Sequence, residues 1–185
     1  MIALIWLLPV GIVIIAFMVA YYYNRIVTLS NRIDEALAQI DVQLKKRADL
    51  LPNLVETVKG YAKHEKGIMD AAMKARENML KAGTIQERIK AGTNLATALR
   101  SVFAIAENYP QLKASDNFKL LQEQLEGIEN KIAYSRQFYN DAVLSFNNTV
   151  TTVPGSWFAS MFGKNKTKVF LTIEEKERKP VKVDF

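Results

Sequence analysis

The sequence has no cysteine, one histidine and no charged side chain before Arg25. The missing cysteines exclude disulfides and thiolate metal ligands, and they fit a reducing compartment. With His64 alone, the common zinc ligand sets cannot be built within one chain, and His64-Glu65 lacks the second histidine of a zincin helix. A Ser-His-Asp relay would rest on His64 with nothing local to orient it. The eight glycines are scattered, so there is no Gly-rich phosphate loop. Before the tail, charge of one sign is never concentrated. Residues 25–63 carry 7 basic and 5 acidic groups, 64–110 carry 7 and 5, 111–150 carry 4 and 5, and 151–185 carry 7 and 4. The net +6 is therefore spread out, which speaks against nucleic acid as a partner. No cofactor is expected. No run before Pro154 alternates with period two, so the fold class is all-α.

What is there begins with the uncharged opening. Ile2 to Tyr23 is 22 residues of almost wholly apolar sequence. At ~1.5 Å per residue it spans ~33 Å, enough to cross a ~30 Å hydrocarbon core. The expected anchor residues include Ile2, Trp6 and Ile14, with Tyr21, Tyr22 and Tyr23 at the headgroup level. A cleaved signal peptide is the competing reading. The absence of a basic n-region, the length of the run and the bulky residue in Met18-Val19-Ala20 oppose it. Pro9 and Gly11 bend such a span without abolishing it. Basic residues follow the run (Arg25, Arg32, then Lys45, Lys46 and Arg47) and none precedes it. The positive-inside rule then expects a single-pass inner-membrane protein with its short N-terminus outside and the rest in the cytoplasm. The sequons at Asn147 and Asn165 read as chance matches on that side.

Helical periodicity dominates the rest. Leu29, Ile33, Leu37, Ile40, Leu44, Ala48, Leu51, Val55, Val58 and Ala62 recur at a mean step of about 3.67, a stripe on one helix face. Leu50, Leu54 and Tyr61 widen it. Pro52 removes one backbone donor and crowds the carbonyl of Ala48, so a kink is expected there. Ile68, Ala71, Ala72, Ala75 and Met79 continue the pattern. Whether residues 30–82 form one helix or two is open, because Gly60 and Gly67 weaken the middle. Gly83 is expected to close this stretch as a left-handed cap. Thr84 with Glu87 reads as a capping box for a helix carrying Ile85, Leu95, Leu99, Val102 and Ala106, which must end before Pro110. Ser115 or Asp116 caps a last long helix whose stripe is Phe118, Leu121, Leu125, Ile128, Ile132, Tyr139, Val143, Phe146 and Val150. Pro154-Gly155 stops it. By composition the chain divides into an anchor (1–24), a helical bundle (25–153) and an amphipathic segment with a basic, extended tail (154–185). The tail is expected to be irregular or strand-like at Val169–Ile173, with a mobile charged end from Glu174.

Four blocks carry a family resemblance: QIDVQLKKRADLLPNLVETVKGYAKHE (39–65), ENYPQLKAS (107–115), FYNDAVLSFN (138–147) and PGSWFASMFG (154–163). With them the chain resembles the LemA family of bacterial membrane proteins. The resemblance implies an N-terminal transmembrane helix followed by an up-and-down four-helix bundle. It implies no established enzymatic activity and no catalytic residues to carry over. It also points to a membrane zinc metallopeptidase as a candidate partner, by genomic neighbourhood alone.

Three features invite a functional reading. Arg47 falls near the centre of the apolar stripe, where a cation needs a partner whose loss costs ~3–5 kcal/mol at a dry site. Glu129 and Tyr139 are the candidates for that partner. Arg47 either snorkels to the bundle edge, forms a buried pair or faces another subunit, and each is a structural or interface role. Glu123, Glu126 and Glu129 recur at i, i+3, i+6, but with no histidine beside them a solvated face is the default over a di-metal or hydrolytic row. Trp157, Phe158, Met161 and Phe162 cluster at the end of the bundle. They either plug it or dip into headgroups, with Lys164, Lys166 and Lys168 on anionic lipid. The expected function is a non-enzymatic, membrane-tethered, self-associating scaffold. The alternatives are a membrane-shaping or envelope-stress assembly acting with lipid and a protease, and a carboxylate-dependent hydrolase.

Overall fold

A computed structural model of the chain describes residues 2–172, with side chains from residue 8 onward. Every regular element in it is a helix: α1 (Ile2–Tyr61), α2 (Lys66–Lys81), α3 (Ile85–Asn108), α4 (Pro110–Ala114), α5 (Asp116–Thr151) and α6 (Gly155–Met161). Among the described residues there is no strand. The chain gathers into two compact units, residues 36–136 and residues 1–35 with 137–185, and α1 and α5 contribute to both.

The unit of residues 36–136 is cored by the expected stripes. On α1, Ile40, Leu44, Ala48, Leu51, Leu54 and Val58 are fully buried. Ala36 takes the place expected of Leu37, which is only half-buried. Leu95, Leu99 and Val102 answer from α3, and Leu121, Leu125, Ile128 and Ile132 from α5. On α2 the buried residues are Met69, Ala72 and Met79, and α2 packs against α3. Gly92 permits a close approach of α3 to α1. A Cβ there would lie 2.6 Å from Leu44 Cδ2.

Helix α1 runs unbroken through Pro52 to Tyr61. Proline has no N–H, so the carbonyl of Ala48, four residues back, loses its intrahelical partner at a fully buried position. Arg76 on α2 replaces it, with its Nε donating to Ala48 O at 2.8 Å. The helix pair is therefore joined where the sequence leaves a defect.

The open question about residues 30–82 resolves as two helices, separated by a turn at Ala62–Glu65 that lies between Gly60 and Gly67. Gly83 is a correction. The C-cap of α2 is Ala82 in an extended conformation, and Gly83 has no positive φ. The reason is next door. Glu87 Oε2 accepts from the N–H groups of both Gly83 (3.1 Å) and Thr84 (3.2 Å), and Thr84 Oγ1 accepts from Glu87 N–H. The capping box of α3 satisfies the linker, so no left-handed residue is needed. Pro110 opens α4, where its missing N–H costs nothing.

In the unit of residues 1–35 and 137–185, α1 buries Ile26, Leu29 and Ile33, and α5 buries Tyr139, Val143, Phe146 and Val150. The left-handed glycine cap expected at Gly83 is found here instead. Gly163 has φ +65°. Lys164 N–H donates to Ala159 O (2.8 Å) and Gly163 N–H to Ser160 O (3.1 Å), the paired bonds of a Schellman motif closing α6. Beyond it residues 164–172 are irregular, so the stretch from Val169 to Thr172 is not a strand. Ile173 and the charged end from Glu174 lie outside the described residues.

Candidate functional site

The surface of α1 divides along its length. Leu8, Val10, Ile12, Val13, Ile14, Ile15 and Phe17 are each more than half exposed, and Phe17 reaches 73%. Burial of large apolar side chains on this helix begins at Ile26. The expected anchor residues Ile2 and Trp6 lie outside the described side chains, while Ile14 (55%) and Tyr21 (57%) stand on the exposed surface. This is the one helix among the described residues long and apolar enough to cross a membrane; an 18-residue window of it has a mean hydropathy of 1.7 and is 6% buried.

At the end of that stretch the aromatic residues of α6 and α1 meet. Tyr22 stacks on Phe158, with centroids 5.0 Å apart and planes at 12°, and Tyr23 meets Phe162 edge-on at 5.2 Å. Ala159 is fully buried. Gly155 has no room for a side chain, because a Cβ would fall 2.1 Å from the carbonyl oxygen of Thr149 and 3.3 Å from the Tyr22 ring. Below the aromatics, Arg25 Nε donates to Thr149 Oγ1 at 3.4 Å. The aromatic segment is thus split by face. Phe158 and Phe162 pack on the tyrosines, while Trp157 (67%) and Met161 (60%) stay exposed, with Val153 (65%) just before them. Lys164 is half-buried and Lys166 and Lys168 are exposed.

The chain after α6 is held by a clamp that the sequence reading missed. Asn147 accepts from Lys168 N–H (2.8 Å) and donates to Lys168 O (2.9 Å). Asn140 does the same for Leu171, at 2.9 and 3.0 Å. Tyr139 O–H donates to Val169 O at 2.9 Å. The geometry follows from pitch. Asn140 and Asn147 are two helical turns apart, about 10.5 Å at ~1.5 Å per residue, and three extended residues cover about 10 Å. The tail therefore runs antiparallel to α5, with both amides in register. Burial, and after it the charge of Asp34, raise the Tyr139 pKa above the ordinary tyrosine value. The signal available in the sequence was the seven-residue spacing of two asparagines on the same helix.

In the other unit, Arg47 is 4% exposed and forms an ion pair with Glu129, whose side chain is 55% exposed. Of the two candidate partners for Arg47 the geometry gives Glu129, in a pair buried on the arginine side alone, and Tyr139 is engaged elsewhere. Burial, then the nearby charges of Arg136 and Arg100, bring the Arg47 pKa down to about 10. Arg47 still carries its proton at neutral pH, which makes Glu129 its needed counter-charge. Glu123 and Glu126 are exposed, as is His64 in the α1–α2 turn. Among the described residues no group of three His, Cys, Asp or Glu is placed to hold a metal ion. The same unit has a groove of roughly 540 Å³ lined by Val42, Lys45, Lys46, Met79 and Leu80, and by Arg88, whose Nη1 donates to both carboxylate oxygens of Asp41 (2.6 Å each).

These features define an all-helical protein whose first helix has a long exposed apolar end. The sequence profile of the LemA family matches residues 36–185, and the chain belongs to that family. Relatives include the magnetosome protein MamQ of Magnetospirillum gryphiswaldense, 23% identical over 174 residues, covering 80% of this chain and 64% of that protein. Magnetosome proteins MamQ 1 and MamQ 2 of Paramagnetospirillum magneticum are 24% identical with the same coverage. The chain thus spans somewhat under two thirds of the length of these relatives.

Proposed function

We propose that this chain is a single-pass membrane-tethered scaffold without enzymatic activity, folded as an up-and-down four-helix bundle and self-associating in the membrane plane. The observation that carries this reading is the change along α1. Its first part exposes apolar side chains on all sides, which water penalises at ~25 cal/mol per Å² and lipid does not. The same helix then supplies a core stripe. The basic residues after the span favour a cytoplasmic bundle at the inner membrane. The half-exposed Val42 and Leu80 along the groove supply an apolar surface for a second copy.

The hydrolase alternative needs Glu123 or Glu129 gathered with other acids in a polar pocket; Glu123 is exposed and Glu129 pairs with Arg47, which lends it no support. The partnership with a membrane zinc metallopeptidase, and an envelope-stress or membrane-shaping role, remain alternatives that rest on family resemblance.

Two measurements test the proposal. The protein is expected to stay in the pellet after alkaline carbonate extraction of membranes, and release into the supernatant refutes the span. Cross-linking in native membranes is expected to give oligomers of this chain, and a ladder containing monomer alone refutes self-association.

A further inference from the structure

We infer that α6 lies in the headgroup region of the bilayer, with Trp157, Met161 and Val153 against lipid, as a second and non-spanning membrane contact. The inference rests on the spanning role proposed for the start of α1. It extends that role to a segment about 130 residues further along the chain.

Three observations lead to it. First, α6 is placed by contact at a defined level. The Tyr22–Phe158 stack and the Tyr23–Phe162 edge contact put it beside the last aromatics of the apolar run, two to three residues before Arg25, the first charge. Tyrosine and tryptophan rings favour that depth, because one part of the ring is apolar and the other can hydrogen-bond.

Second, α6 has two apolar faces. Ala159 is buried and the half-buried Phe158 and Phe162 pack on Tyr22 and Tyr23, so burial of this short helix does not explain Trp157 at 67% and Met161 at 60% exposed. A water-facing side of a seven-residue helix has no need for its largest aromatic residue, whereas a side facing the headgroup boundary does. The exposed apolar run of α1 over residues 8–21 ends beside Tyr22 and Tyr23, the residues on which α6 packs, so lipid that covers the run lies next to α6.

Third, the charge is of the right sign in the right place. Lys164 and Lys166 follow α6 immediately, and Arg25 lies at the foot of the aromatic cluster. The clamp at Asn147 then turns the chain back along α5, so Lys168 is the last of these lysines near the surface. Anionic headgroups complement that cluster. A second protein copy seated on Trp157 is the other candidate cover, but nothing in the patch itself selects it, whereas the neighbouring run of exposed apolar side chains selects lipid.

The chain's two tryptophans, Trp6 and Trp157, allow the inference and the spanning role to be tested separately. Full-length Trp6→Phe leaves Trp157 as the only tryptophan, and full-length Trp157→Phe leaves Trp6. Each is reconstituted in phosphatidylcholine vesicles with a minority of phosphatidylglycerol, using lipids brominated either near the headgroup end or near the tail end of the chain. Trp157 emission is expected to fall roughly twofold with the shallow bromines and less with the deep ones, as for an interfacial segment. If Trp6 is quenched and Trp157 is not, the span stands and this inference is overturned. Acrylamide then tells whether protein (shielded) or water (accessible) covers Trp157 instead. If Trp6 is quenched by neither lipid, the spanning role fails and the inference fails with it.

Discussion

The two units repair their backbones in different surroundings. In residues 36–136 the defect is one carbonyl, Ala48 O, freed by Pro52 at a fully buried position and satisfied by Arg76 alone. In the other unit a whole stretch of chain without helix or strand is held by Asn140, Asn147 and Tyr139 through five hydrogen bonds, two of them exposed. A lone bond to a buried carbonyl has no protein substitute, whereas a group of bonds, some of them exposed, can exchange members for water. Loss of a repair should therefore lower the stability of the first unit and only loosen the tail of the second.

The largest effect is expected at the buried charge. Glu129→Gln leaves Arg47 dry with Arg136 and Arg100 as its charged neighbours, and about 3 kcal/mol of stability should be lost in urea denaturation, the low end for an unpaired buried charge because the amide oxygen can still accept a hydrogen bond. Arg47→Met should cost less than about 1 kcal/mol, because the half-exposed Glu129 left behind is hydrated. Equal losses from the two changes would break the picture of a one-sided pair.

Arg76→Met should cost about 1–2 kcal/mol, the penalty of an unsatisfied buried carbonyl. Adding Pro52→Ala returns an N–H to Ala48 O and should recover most of it. A double mutant no more stable than Arg76→Met would show that Arg76 acts through something other than this carbonyl.

Asn140→Ala with Asn147→Ala should leave the main unfolding transition within about 0.5 kcal/mol, since surface changes rarely exceed that. The same pair should speed proteolysis within residues 164–172. Loss of the main transition would erase the contrast between the units.

The smallest effect concerns pH. The Tyr139 pKa is raised on folding, so its contribution is fully present below the ordinary tyrosine value and is lost as pH rises through the raised one. Proteolysis of the tail in Tyr139→Phe should therefore show less alkaline increase than in the native chain. Parallel curves would mean that the hydroxyl is not linked to docking.

Much of the fold was legible because it depends on local pattern. The stripes of α1 and α5 read directly as buried faces, and Thr84 with Glu87 read as a capping box that forms as expected. What failed was the choice between residues able to do the same work. Gly83 had the right chemistry for a left-handed cap, but Glu87 reaches its N–H first, and the cap appears at Gly163. Val169 to Thr172 has the composition of a strand but no neighbouring strand among the described residues; its hydrogen bonds go to the Asn140 amide and the Tyr139 hydroxyl. Arg47 was legible as an anomaly, whereas Arg76 was not. Nothing near Arg76 in the chain indicates that it serves a carbonyl 28 residues earlier. The aromatic segment suggested a bundle plug or a lipid contact. Only the packed tyrosines separate its inward Phe158 and Phe162 from its outward Trp157 and Met161.

The tail clamp grips main-chain atoms, which leaves the side chains of residues 169–171 almost free to vary. Val169, at 82% exposed, can change type without disturbing a single bond that holds it. Proline alone is barred, and only at two positions, because the N–H groups of Lys168 and Leu171 are the ones donated. A stretch that looks expendable in sequence could thus drift widely, or accept a label or an epitope, while its path along α5 stays the same.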